Sequence, residues 1–308
     1  MRALGVRVGL AALAASVAAP ALAHGGHDHR AEPAGWTWDP WITGPLTLSA
    51  LLFAWGWTRL HARSGQGSTA LRRRAWLFAS GWLVLASALV SPLHEWGERS
   101  FAAHMTEHEL LMLVAAPLMV LAEPLAIMLW AFSPTGRRAL GRASAAAPVA
   151  LPWAWLTAPI TATAIQAVAL WLWHAPVLFD LALAHEGWHA AQHLSFLVSA
   201  LFFWTAMLGR RGSQSSASAA RAVAAFCLFA TSILSGGLGA LMAFSQSPWY
   251  AGYAALGMAP LGLTPAEDQQ LAGLIMWVPG GLVHAAAALV LVRGLLVAAP
   301  ARRVADAI

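Results

Sequence analysis

Apolar residues run along this chain in long blocks, separated by short polar segments rich in arginine, glycine and serine. A helix needs about 20 apolar residues to cross the hydrocarbon of a bilayer. The blocks at about 42–60, 75–91, 101–122, 153–174, 188–208, 222–244 and 270–293 reach or approach that length. The pattern predicts an all-α fold, a polytopic membrane helix bundle of about seven transmembrane helices within residues 41–297. The third block is irregular: apolar sequence continues from Phe101 to Phe132, too long for one straight crossing and too short for two, and it contains Pro117 and Pro124. Proline removes a ladder donor and clashes with the preceding turn, so a kinked helix followed by an interfacial segment is expected. The connectors RSGQGST and RRGSQSSASAAR read as flexible loops, and neither a second domain nor a repeat is visible.

Composition agrees with the pattern. The chain is 59% hydrophobic and 10% charged, against about 25% charged for soluble domains. Its basicity is all arginine, since lysine is absent. The arginines sit in short loops between apolar spans, which points to membrane topology and away from nucleic acid. Arg59, Arg63, Arg72–Arg74, Arg137, Arg138, Arg142, Arg210, Arg211, Arg221, Arg293, Arg302 and Arg303 fall on one side of the expected bundle, and only Arg30 and Arg99 of the mature chain fall on the other. By the positive-inside rule the arginine-rich side is cytoplasmic. The start MRALGVR, a short apolar core and the small-x-small triplet Ala21–Ala23 read as a signal peptide over 1–23, with an uncleaved anchor as the alternative. A His-rich periplasmic tail over 24–40 and a cytoplasmic tail over 298–308 complete the plan, which is that of a bacterial inner-membrane protein with its mature N-terminus outside. The single Cys227 allows no intrachain disulfide and is expected to pack inside a span.

The histidines are unevenly placed. His94, His104, His108, His174, His185, His189 and His193 all fall at or near the outer ends of spans, while His284 lies deep in the last one. His104, His108 and Met112 recur every four residues, as do His185, His189 and His193, so each set lines one helical face. Ionisable residues within spans are costly and usually functional. Imidazole suits copper, zinc and iron, and thioether sulfur selects Cu(I). Two facing His-x-x-x-His stripes at one depth can supply four nitrogen ligands. A lone histidine on an apolar helix is more often packing, and a methionine stripe is more often gap filler, so the argument rests on the coincidence of two pairs. Glu107 and Glu109 open an apolar helix, as possible partners of the histidines or as favourable charges at its N-terminus. Glu95, Glu98 and Asp180 read as solvated loop charges.

Three stretches carry a resemblance: SPLHEWGERSFAAHMTEHELLMLVAAPLMVLAEPL, WLWHAPVLFDLALAHEGWHAAQHLSFLVSALFFW and MWVPGGLVHAAAALVL. In this order they resemble the multi-span CtaG family of cytochrome c oxidase assembly factors of the caa(3) type, over about residues 40–297. The resemblance implies a role in maturing haem-copper oxidases through copper supply to the catalytic subunit. The matching positions are His104, His108, His189 and His193, with Met105 and His174 as lesser candidates. Glu107 and the Glu123-Pro124 pair depart from the family pattern. Cu(I) is the expected metal. The expected partners are an oxidase subunit in the membrane, a periplasmic copper donor and the lipid bilayer, with no nucleic acid.

The stretch HEGWHAAQH also matches the H-E-x-x-H pattern of zinc peptidases through His185, Glu186 and His189. Gly187 is expected to interrupt that motif, and His189 with His193 is the better helical pair, so the match reads as accidental. Two further alternatives stand beside copper: bis-histidine haem ligation and a metal-free assembly scaffold.

Overall fold

Proline sets where many of the helices begin. It lacks an N–H, and its fixed φ suits the first helical turn. The computed structural model describes residues 35–63, 65–209 and 214–305, and among these the regular structure is entirely helical. The helices are α1 (Pro40–His61), α2 (Ser68–Val90), α3 (Pro92–Arg99), α4 (Phe101–Ala122), α5 (Pro124–Met128), α6 (Pro134–Ala145) and α7 (Ala147–Leu156), followed by α8 (Pro159–Trp173), α9 (Pro176–Ala184), α10 (Glu186–Leu208), α11 (Gln214–Ala243), α12 (Ala251–Leu256) and α13 (Pro265–Ala305). The expected signal peptide and the histidines at 24, 27 and 29 lie outside the described residues.

Among the described residues four helices are long and apolar enough to span a bilayer: α4, α10, α11 over Ser218–Ala243, and α13 over Pro265–Val297. Such a set suits a multi-pass membrane protein. The block expected as one span at 153–174 is broken: α7 and α8 meet at 70°, and together they make a fifth candidate. The cause is Pro159, which excludes its predecessor from the α region. Ala158 accordingly sits at φ −70°, ψ 137°. Helices α1 and α2 have 22 and 23 residues, about 33 Å of helix each, but polar residues such as Arg72–Arg74 keep them below the hydropathy of the other four. Helices thus stand at all seven expected positions, and a count of seven crossings is not established by length and hydropathy.

The third block is kinked, and the mechanism goes beyond a proline bend. Leu110–Ala115 forms a π-helical turn, in which the Ala116 N–H bonds to the Leu111 carbonyl, five residues back. Pro117 follows and has no N–H to give. The Met112 carbonyl is thereby deprived of both the i+4 and the i+5 donor. The indole Nε1–H of Trp204 on α10 donates to it instead, at 2.8 Å. Two turns further on, α4 ends at Glu123, a left-handed residue (φ 47°), and Pro124 starts α5. The Glu123 carboxylate pairs with Arg74 at 2.9 Å. Arg59 donates to the Ala131 carbonyl, and Arg137 lies 3.9 Å over the Trp130 ring. The arginine contacts therefore gather at one end of the bundle, about 27 Å along α4 from His104.

Helix α4 is central and packs against α2, α3, α10 and α13. Helices α11 and α13 form the most extensive pair, through a seam of small residues. A Cβ on Gly273 would lie 2.5 Å from the Gly239 carbonyl oxygen, and one on Gly56 would lie 2.2 Å from that of Ile127. Small residues let helices approach in lipid, where packing replaces the hydrophobic drive.

Two substitutions test this frame. Trp204→Phe keeps the ring and removes the donor to Met112, and should cost about 1–3 kcal/mol. Gly273→Val should separate α11 from α13 and lower the unfolding temperature further, because its clash is with backbone. Thermal unfolding in detergent, followed by the loss of helical circular dichroism, checks both.

Candidate metal centre

Helices α4 and α10 start at the same end of the bundle and carry their histidines to one level. Ser100 caps α4 by accepting from Ala103 N. Asp268, near the start of α13, secures the same turn: its buried carboxylate accepts from Ser100 Oγ (2.8 Å), Phe101 N (2.6 Å) and Ala102 N (3.3 Å). On α10 the preceding residue, His185, is extended and serves as the N-cap position.

The short helix α3 closes over this end. Ser91 caps it, accepting from Leu93 N, and Pro92 opens it. Gly97 allows the approach, since a Cβ there would stand 3.3 Å from both the Glu107 carboxylate and the His104 Cα. Tyr253 donates to the Gly97 carbonyl and ties α3 to α12. Gly35 N donates to Glu95 at 2.7 Å, and Asp180 accepts from Ala251 N and Gly252 N. Two acids expected as solvated loop charges are therefore backbone acceptors.

Five imidazoles and one carboxylate meet beneath α3. The donor atoms of His104, His189 and His193 lie within 4.8 Å of one another, as do those of His94, Glu107 and His193. His193 belongs to both groups. His104 stacks on His189 at 5.1 Å, and His94 on His189 at 5.2 Å. His108 lies edge-on to His104 at 4.3 Å and to His193 at 4.9 Å. Glu107 is fully buried, accepts from His94 Nδ1 at 2.8 Å, and stands 3.5 Å from His193 Nδ1. That contact fixes the His94 tautomer and leaves its Nε2 lone pair free. Burial lowers the His94 pKa, but the bond and charge of Glu107, with Glu98 and Asp39 further off, outweigh it, so the net shift is upward.

Buried polar atoms without partners are costly and call for an explanation. Here both nitrogens of His104 and His108, and Nε2 of His189 and His193, are buried with no hydrogen-bond partner. Imidazole nitrogens converging in this state are what a first-row metal ion requires. Bonds of about 2.0 Å to three nitrogens place those donors about 3.5 Å apart, so small rotations of rings whose donor atoms already lie within 4.8 Å would close the set.

The expected residues do not all share this place. His104, His108, His189 and His193 come together. His185 is exposed and outside the group. Met105 is buried in the apolar cluster with Phe101, Phe179 and Phe196. Met112 departs from the four-residue register because the π turn intervenes, and it lines a separate cavity further along α4. His174 is buried behind an aromatic layer, with Nδ1 against the Leu170 carbonyl at 2.7 Å and its ring facing Phe179 and Phe196. His185 and His189 do not form a helical pair, because α10 begins at Glu186. Gly187 lies inside the helix, so the break falls at His185 and not at the glycine. His94 is the addition that sequence reading left out of the site, having been placed at the end of the second span. The Ser91-Pro92 pair was the available signal, since it caps and opens a new helix.

Comparison with known proteins places this chain in a family. A family model described as cytochrome c oxidase caa3 assembly factor (Caa3_CtaG) matches residues 51–297. Two curated proteins of similar sequence are the uncharacterized proteins Mb0105 of Mycobacterium bovis and MT0111 of Mycobacterium tuberculosis. Each is 28% identical over 188 residues, covering 54% of this chain and 28% of the relative. The chain thus matches little more than a quarter of the length of these relatives. No solved structure matches significantly.

Asp268→Asn should loosen the first turn of α4, costing about 1.5–3 kcal/mol for lost charge-assisted bonds. Amide hydrogen exchange checks this: Phe101 to Met105 should lose protection before α11 does.

Proposed function

The chain belongs to the family of cytochrome c oxidase caa3 assembly factors, and on that premise we propose that it binds one Cu(I) ion among His104, His189 and His193 and delivers it to the catalytic subunit of a haem-copper oxidase in the same membrane. The observation that carries the reading is the pairing of converging buried imidazoles with a single buried carboxylate. Glu107 is the only carboxylate in the group, and a monovalent ion brings half the charge of a divalent one into a buried site where charge is expensive. Glu107 also acts through His94 and His193, orienting rings that face the ion. His108 lies one turn deeper on α4 as the next nitrogen on the route.

In this reading the histidine end faces the periplasm and the arginine end the cytoplasm, in the bacterial inner membrane, with α1, α2 and the bent α7–α8 pair completing seven crossings. A cleaved signal peptide leaves the HGGHDH tail outside, where it collects copper from a periplasmic donor. The protein performs no catalysis and acts as a carrier.

The geometry favours copper over its rivals. A porphyrin needs an open slab between two ligating rings, and here the rings pack directly on one another at 4.3–5.7 Å. A peptidase needs His185 beside His189, and His185 is exposed at the helix cap.

A Cu(I) competition titration on purified protein, with His24, His27 and His29 replaced by Ala, tests the proposal. The His104→Ala, His193→Ala variant should lose more than the roughly 10–100-fold that removal of an outer partner costs, and Glu107→Gln should fall within that range. Affinity should also drop on acidification, because protonated imidazoles cannot bind metal. Unchanged binding in the double variant would overturn the site. An intense haem absorption band in the purified protein, or peptidase activity abolished by Glu186→Gln, would replace the reading.

A further inference from the structure

A second polar group lies deeper in the bundle. A cavity of about 20 Å³ sits between α4, α8, α11 and α13, with Glu109, Gln166, Thr231, Ser235 and His284 as its polar lining and Met112 also on its wall. That volume is room for a single water or a bare ion. Gln166 and His284 are 6% and 2% exposed. Gln166 Oε1, Glu109 Oε2 and both His284 nitrogens are buried without hydrogen-bond partners. The hydroxyls of Thr231 and Ser235 already donate to the carbonyls of Cys227 and Thr231, each at 2.9 Å, so only their lone pairs remain. Leu113, Ala167, Leu170 and Leu234 make the rest of the wall apolar, and what the polar members offer is mainly acceptors: carboxylate, amide and hydroxyl oxygens and an imidazole.

Unsatisfied polar groups at membrane depth cost several kcal/mol each, and unpaired acceptors facing one small cavity are relieved best by a cation. The walls are held in place by neighbours already described. The His284 ring stacks on Trp204 at 5.9 Å, and Trp204 is anchored by its bond to the Met112 carbonyl. The cavity also lies close to the upper group along α4. Glu109 directly follows His108, and Met112 is one turn, about 6 Å, deeper on the same helix.

We propose that this cavity is a second, intramembrane cation site, in which His284 and Met112 bind Cu(I) received from the histidine group while Glu109 and Gln166 supply oxygen contacts. The inference rests on the copper reading above and extends it: the ion descends along α4 toward the middle of the membrane before it leaves the protein. The soft pair of imidazole and thioether selects Cu(I) over harder ions, and no methionine lines the upper group among the residues brought together there.

The test counts copper and identifies its neighbours. Full-length protein with His24, His27 and His29 replaced by Ala is titrated with Cu(I) against a chromogenic chelator, and copper X-ray absorption is recorded on the loaded sample. Two ions per chain are expected, with a sulfur neighbour at about 2.3 Å, a distance typical of metal–sulfur bonds. His284→Leu should remove one ion and the sulfur signal while the other ion stays. Met112→Leu should remove the sulfur signal, and Gln166→Leu should weaken the deeper ion at least tenfold. Binding retained at the upper group is the control for folding; if His284→Leu fails that control, the two milder variants decide. One ion per chain with nitrogen neighbours alone, lost in His104→Ala, His193→Ala, overturns the deeper site and leaves the assembly reading standing. One ion lost only in His284→Leu upholds the deeper site and overturns the upper one. Two ions insensitive to His284→Leu, Gln166→Leu and Met112→Leu overturn the inference, and no copper at all overturns both.

Discussion

A backbone carbonyl cannot be left without a partner inside hydrocarbon, and the arrangement of this protein follows from how one such carbonyl is rescued. Pro117 has no N–H, and the π turn before it sends the Ala116 N–H to Leu111, so the Met112 carbonyl loses its helical donors. Trp204 supplies the missing hydrogen bond from α10. That contact helps join α4 to α10, and His284 stacks on the same indole. The proline that kinks the third block is thus a device for joining two helices through a side chain.

The histidine end is built on the opposite principle, with polar atoms concentrated and left unpaired. Its framework is well satisfied. Asp268 caps α4, Ser91 caps α3, and Tyr253 holds α3 down through the Gly97 carbonyl. Within that framework the imidazole nitrogens of His104 and His108 have no partners. Firm scaffolding around these unpaired nitrogens holds the rings close to one another. The buried Glu107 orients His94 through its bond to Nδ1.

Much of this was legible in one dimension. The all-helical architecture followed from block lengths, and the kink of the third block from its prolines. The convergence of His104 and His108 with His189 and His193 followed from a four-residue spacing on two spans of like depth, because helical periodicity turns spacing into direction without any further information. The same rule failed for Met112, since a π turn adds a residue to the winding and rotates everything after it. It failed for His185, since a helix that begins one residue later no longer carries it. The broken span at Pro159 was likewise hidden by an apolar run whose hydropathy does not register a bend.

The sequence by itself determined the class of fold, the blocks that can lie in a membrane, and the two helical faces that carry imidazole, because these depend only on local composition and on the 3.6-residue period. The tertiary structure alone decided that His94 folds back over the site on α3, that Glu107 is its buried carboxylate, that Asp268 positions α4 from 167 residues away, and that His284 meets Gln166 and Glu109 in one cavity. Those are contacts between segments distant in sequence. They are set by which small residues permit close approach and by where orphaned polar atoms find partners, and neither is written in any local stretch of the chain.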